Sequence, residues 1–276
     1  MENKQNLKFE SPTFFERIKG MLSVDFYRLF HTPLFYIFIA IAAIIPAMIL
    51  AMTGLENPQT GEVVRMYTNT WQVIAAESPL YVVRDIAEYA NMNMVYIFGG
   101  IMVSIFIGRD YKSGYVKQLF TTHAKKQDYM ISKTMISAFS MMCMCGTYMF
   151  GTVVAGLLTQ TSFAVNVGSL IIAIFSKVIM SLGWASLYTF LNVIFRRYFG
   201  VSIVSSFFFG TGILIIGVAA VLGNSPVLNI FLYGSSVFAC LSSSIVTLIV
   251  CTLVSCAWAV IYNVLGTVLL NRSDVY

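Results

Sequence analysis

Six apolar runs, each long enough to cross a bilayer and none carrying more than one charge, limit what this chain can fold into. They cover about Leu34–Met52, Met92–Gly108, Thr134–Leu158, Val167–Ile194, Val201–Leu222 and Ser244–Leu270. A hydrocarbon core about 30 Å thick takes roughly 20 apolar residues in a helix, and a helix satisfies its own backbone polar groups there. The expected fold class is therefore an all-α polytopic membrane protein with six transmembrane helices. Only 11% of the 276 residues are charged, against about a quarter in soluble domains. That leaves no room for a large soluble domain beside the 34–270 bundle.

Ahead of the first run, residues 1–33 predict a cytoplasmic segment with an amphipathic helix from about Pro12 to Phe30. Thr13 followed by Glu16 has the spacing of a capping box. Phe15, Ile18, Leu22, Phe26 and Leu29 recur at three and four residues and form one apolar face. Glu16, Arg17, Lys19, Ser23 and Arg28 lie off it. Such a helix is expected to lie in the headgroup region with its aromatic face in lipid. His31-Thr32-Pro33 breaks it before the first span. The opening stretch is polar for too long to be a cleaved signal peptide.

Lysine and arginine fix the orientation. Five lie in the N-terminal segment, six between Arg109 and Lys133, two at Arg196-Arg197 and one at Arg272, against only Arg65 and Arg84 on the other side. Basic loops stay in the cytoplasm, so the chain is expected in the cell membrane with both termini inside, including the tail 271–276. Residues 53–91 then form an external polar loop with a short helix near 80–90. Residues 223–243, uncharged and broken by Asn224, Pro226 and Gly234, read as an external re-entrant segment. The positive balance of +5 clusters near membrane ends, which points to orientation and anionic lipid rather than nucleic acid.

Several chemistries are excluded on residue grounds. Both histidines, His31 and His123, fall on the cytoplasmic side, so no bis-histidine haem is available within the bundle. No carboxylate falls in any expected span, which weighs against a proton- or cation-coupled transporter. No GxxxxGK[ST] motif is present to cradle nucleotide phosphates. No catalytic, cofactor-binding or metal-ligating set is expected. Cys143, Cys145, Cys240, Cys251 and Cys256 have no metal-type spacing and read as small hydrophobes. Met141, Met142 and Met144 beside two of them read as packing. Gly151 with Ala155, and Ser181 with Ala185, have the spacing that lets helices approach closely. Lys177 is the one ionisable residue inside a span and is a candidate pathway charge, facing a wet cavity or a partner subunit unless the fourth span starts later.

The cytoplasmic segment RDYKSGYVKQLFTTHAKKQDYMISK, Arg109–Lys133, carries the sharpest motif. Asp110, Lys112, Gly114, Leu119 and Lys133 sit where type 2 ABC transporter permeases commonly have an acid, a basic residue, a glycine, a leucine in a short helix, and a lysine opening the third span. The chain resembles that family. MLSVDFYRLFHTPLFY also resembles the lead-in of small permeases in peptide-antibiotic and lantibiotic exporters or immunity systems. The chain departs from the pattern at Tyr115, where Thr is usual, and at Lys125-Lys126. The resemblance implies a coupling helix between spans 2 and 3 that docks on an ATPase. Its contact set would be Asp110, Lys112, Gly114, Tyr115, Val116, Lys117, Leu119 and Phe120, with Tyr115, Val116, Leu119 and Phe120 as apolar anchors. It further implies two ATPase subunits holding ATP and Mg, a second permease copy or a related chain, and an amphiphilic cargo such as a hydrophobic peptide, antibiotic or lipid. An ATPase-independent secondary transporter, or a membrane scaffold subunit, is the alternative, and a membrane-bound enzyme a more distant one.

Overall fold

The computed structural model describes residues 12–52, 54–56, 63–65, 69–74, 92–121, 124–164, 167–223, 230–241 and 244–272. Two helices open the chain. α1 is Phe14–Phe30, with Thr13 as N-cap. The Thr13 side chain accepts the Glu16 backbone N–H, and the Glu16 carboxylate accepts the Thr13 backbone N–H at 2.8 Å. This is the reciprocal box that the spacing predicts. Proline at position 33 starts α2, Pro33–Met52, where its missing N–H costs nothing because first-turn donors have no helical partner.

Of the loop expected at 53–91, the described parts are two three-residue strands and one turn of 3-10 helix. β1 (Gly54–Glu56) and β2 (Val63–Arg65) pair antiparallel. The 3-10 turn, Thr70–Val73, is drawn into the bundle rather than left in water. Val73 and Ile74 are fully buried, and Tyr148 donates its hydroxyl to the Val73 carbonyl at 3.1 Å. Two apolar residues and a satisfied carbonyl make that insertion favourable. The short helix expected near 80–90 lies outside the described residues.

The remaining helices are α3 (Met94–Lys112), α4 (Tyr115–Thr121), α5 (Lys126–Thr159), α6 (Val167–Ile194), α7 (Phe199–Gly223), α8 (Leu232–Leu241) and α9 (Ile245–Arg272). Among the described residues, five helices are long and apolar enough to cross a membrane: α2, α3, α5, α6 and α9. The chain is a multi-pass membrane protein. α7 has 25 residues, and its first part, Phe199–Gly212, is apolar. α8 has ten residues, too few to cross; eight residues of the segment expected to be re-entrant, 224–229 and 242–243, lie outside the described ones.

α9 packs most extensively on α6, α2 on α5, and α3 on α7. Close approach of α2 and α5 depends on Gly151, where a Cβ would overlap the Ala43 carbonyl. The Gly151/Ala155 spacing therefore serves packing inside one bundle. Met141, Met144 and Cys145 are fully buried in the same core.

One expectation is corrected here. The 109–133 segment, expected as a loop holding one short helix with the third span starting at about Thr134, is helical over most of its length. α3 runs on to Lys112, α5 starts at Lys126, and α4 fills most of the gap. Helices can continue through so charged a stretch because its buried charges neutralise one another.

Candidate functional site

Four charged side chains from three helices meet at the end of the bundle where α1, α3 and α5 converge. Lys133, on the second turn of α5, places its Nζ 2.5 Å from Asp25 Oδ1 and 2.6 Å from Asp110 Oδ2. Arg28 pairs with the other Asp110 oxygen, and its Nη1 lies 3.7 Å from Asp25 Oδ1. Ser132 donates to Asp25 Oδ2 at 3.2 Å. Asp25, Asp110 and Lys133 are each no more than 2% exposed. Two acids and two bases leave the cluster neutral, a condition for burying ions at all.

Aromatic rings close the cluster. The Arg28 guanidinium lies 4.7 Å from the Tyr115 ring centre, and the Lys133 ammonium is 5.4 Å from Phe106 and 5.5 Å from Tyr129. Their π faces stabilise cations taken out of water. Burial works against the Arg28 charge, but the hydrogen bond and charge of Asp110, with Asp25 behind it, raise its pKa above the usual arginine range. Burial pushes the Tyr115 phenol up as well. Farther along α1, Arg17 Nε donates to Asp128 Oδ2 at 2.6 Å, and Asp128 is buried. α1 is thus pinned to α5 at two points two to three turns apart.

The pinning changes the reading of α1. Ile18, Asp25 and Leu29 are its buried residues, with Leu22 and Phe26 half-buried, and this face packs on α5 rather than in lipid. Phe26 meets Phe139 edge-on at 4.9 Å. Phe15, by contrast, is 80% exposed. Asp25 falls at the spacing of Ile18, Leu22 and Leu29, so a carboxylate inside an apolar stripe was the available signal for a buried cation opposite.

α4 sits on the helix ends beside the cluster. Val116 is buried with Tyr129, Met130, Val193 and Leu270, and Tyr111, Leu119 and Phe120 pack against them. The expected anchors therefore face the chain's own bundle: Val116 buried, Tyr115, Leu119 and Phe120 half-buried. Asp110 is consumed in the buried cluster. What the segment presents outward is Lys112, Ser113, Lys117, Gln118 and Thr121. Gly114 makes the turn between α3 and α4 at φ 74°, a left-handed conformation that suits glycine.

Lys177 lies ten residues into α6, inside the apolar stretch Leu170–Ile194, so a later start of the span does not remove it. It is 1% exposed, and its carbonyl accepts the Tyr96 hydroxyl at 2.7 Å. Tyr96 stacks on Trp184, which donates its indole N–H to Ser236 of α8 at 2.8 Å. Ser181 and Ala185 are buried in the same helix.

A third polar group was not foreseen. Ser104 of α3 donates to Ser206 of α7 at 2.6 Å, and Asn192 of α6 donates to Ser104 at 3.0 Å. Asn192 also accepts from Ser202. These residues tie α3, α6 and α7 together without a charge. Single serines in apolar runs carry no periodic signal, so this group of four is invisible until the helices are placed.

No family model matches the chain, and no curated protein matches it.

Proposed function

We propose that this chain is the permease subunit of an ABC exporter, with six crossings, both termini in the cytoplasm, and a separate ATPase that moves it through α4. The observation that carries this reading is the mounting of α4. It is a short helix seated on the ends of α3, α5, α6 and α9, with its apolar side inward and a polar, basic side outward. A helix so mounted is a handle: force on it goes to four long helices at once. The buried cluster beside it adds α1, so α1, α3, α4 and α5 move as one body.

Two such chains, or this one and a related permease, would enclose the path, and two ATPases binding ATP and Mg would close beneath them. A rigid-body tilt of packed helices is an ordinary response to such closure. The Ser104–Ser206–Asn192 contacts support transfer of that tilt from α3 to α6 and α7. Because the apolar side of α4 is occupied, the partner would be met by Lys112, Lys117 and Gln118, with electrostatic complementarity setting specificity. The cargo class is an amphiphile, in keeping with an interior that is largely apolar around the Tyr96–Trp184–Tyr233 rings.

The test is copurification from native membranes. Wild-type chain should bring down a protein carrying nucleotide-binding motifs, with MgATP hydrolysis in the preparation. Lys117→Glu should lose that protein while inserting normally. A preparation without an ATPase, or one indifferent to Lys117→Glu, would contradict docking through α4.

A further inference from the structure

A groove of about 640 Å³ runs along the outside of the bundle between α5 and α9. Gln127, Ile131 and Met135 line one wall; Cys256, Val260 and Val264 are on the other, which continues through Thr267 and Val268. Val260 and Val264 are 65% and 55% exposed. Its central polar side chains are spent within the two helices. Thr134 donates to Asn263 at 2.9 Å, Asn263 donates to the Ala259 carbonyl, and Thr267 donates to the Asn263 carbonyl. What remains toward the outside is aliphatic apart from the Gln127 amide and the Cys256 thiol.

Length and charge identify what fits. From Cys256 to Val268 is twelve residues, about 18 Å of helix at ~1.5 Å per residue. That is close to one leaflet of a hydrocarbon core about 30 Å thick. One end of the groove is the end of both helices, and cations gather there. Lys125 is the α5 N-cap and is exposed, and Arg272 continues the Val264–Val268 row of α9 into the open. Lys126 spans the two helices by donating to the Leu270 carbonyl at 2.7 Å. A one-leaflet apolar slot with cations at its mouth matches an acyl chain joined to a phosphate.

We infer that the α5–α9 groove binds one anionic phospholipid, acyl chain along Ile131, Val260 and Val264, headgroup phosphate at Lys125 and Arg272. The site needs only that the chain span a membrane, and it stands or falls independently of the ATPase.

The full chain, purified in detergent, would be given equal amounts of phosphatidylglycerol and phosphatidylcholine and read by native mass spectrometry. One phosphatidylglycerol should be retained in preference. Lys125→Gln and Arg272→Gln should each lower that retention about five-fold, as expected for one cation near an anionic headgroup. Val264→Trp should abolish it. Alkylation of Cys256 by N-ethylmaleimide, followed on its peptide, should slow when phosphatidylglycerol is added to wild type, a readout independent of any variant's folding. Equal retention of the two lipids, or unprotected Cys256, would overturn the inference. So would a dimer broken by Val264→Trp with lipid retention unchanged, since a second copy would then fill the groove.

Discussion

Replacing Lys133 by methionine removes the buried cation that lies within 2.6 Å of both buried acids. Asp25 would keep Ser132 at 3.2 Å and an Arg28 nitrogen at 3.7 Å, while Asp110 would keep Arg28 alone. The cluster would then carry one net negative charge where the acid side chains are no more than 2% exposed. Removing one partner of a buried pair costs about 3–5 kcal/mol, equivalent to roughly a hundred- to several-thousand-fold shift in a local opening equilibrium. Asp25→Asn should be milder, ~1–3 kcal/mol. It leaves Asp110 with both cations, and Arg28, 29% exposed, can turn its excess charge toward water. The double variant Asp25→Leu/Lys133→Met leaves the neutral Arg28–Asp110 pair and should recover most of the loss, because a buried ion pair replaced by apolar groups is often near neutral. Hydrogen exchange of α1 backbone amides reads the docking directly, with α9 as an unaffected reference. With Asp25→Leu alone closing the cycle, single-variant costs that simply add in the double variant would show that the two residues do not share a pair. Unchanged α1 exchange in Lys133→Met would show that the cluster does not hold α1.

Four further outcomes follow from particular contacts. Gly151→Val should destabilise the chain by at least ~1–3 kcal/mol, since its side chain meets the rigid Ala43 backbone rather than a side chain that can turn away; thermal unfolding in detergent measures it. Asn192→Leu should cost about 1–3 kcal/mol by leaving the Ser104 and Ser202 hydroxyls without their amide partner, seen in the same assay. The Glu16 pKa is lowered first by the Thr13 backbone N–H and then by its hydroxyl. A depressed carboxylate pKa stabilises above the unfolded value and loses that contribution as pH falls through the folded one. The first turn of α1 should therefore lose protection as pH falls below the usual glutamate range, and Glu16→Gln should remove that pH step. Leu119→Asp should lower stability as well as any partner contact, because Leu119 packs on the Val116–Tyr129 group.

Much of the helical layout could be read from the sequence because membrane spans announce themselves by length. α6 begins and ends where the apolar run does, and α2 and α9 fall within one or two residues of theirs. The Thr13–Glu16 box was equally legible, being local. Charged stretches misled where they were buried. The run from Arg109 to Lys133 looks like a solvated loop because sequence gives no sign that Lys133 meets Asp25 and Asp110 meets Arg28, each more than eighty residues earlier. Of the expected α1 stripe, Ile18 and Leu29 are buried and Leu22 and Phe26 half-buried while Phe15 is exposed, and the packing on α5 could not be read from the stripe, because periodicity identifies an apolar face and not what covers it. The same limit applied to Tyr115, Val116, Leu119 and Phe120. Their apolar character marked a buried face, and only packing shows that the face is turned inward.

The side of the membrane on which α4 stands tests the central claim most directly. Gln118→Cys places a single reporter on its exposed face, to be labelled by a membrane-impermeant maleimide in sealed right-side-out and inverted vesicles, with cysteine-unsubstituted chain as background. The account requires labelling in inverted vesicles alone, and protection there when the ATPase is bound. Labelling in right-side-out vesicles would put the handle outside the cell, out of reach of any ATP-driven partner, and would contradict the proposal.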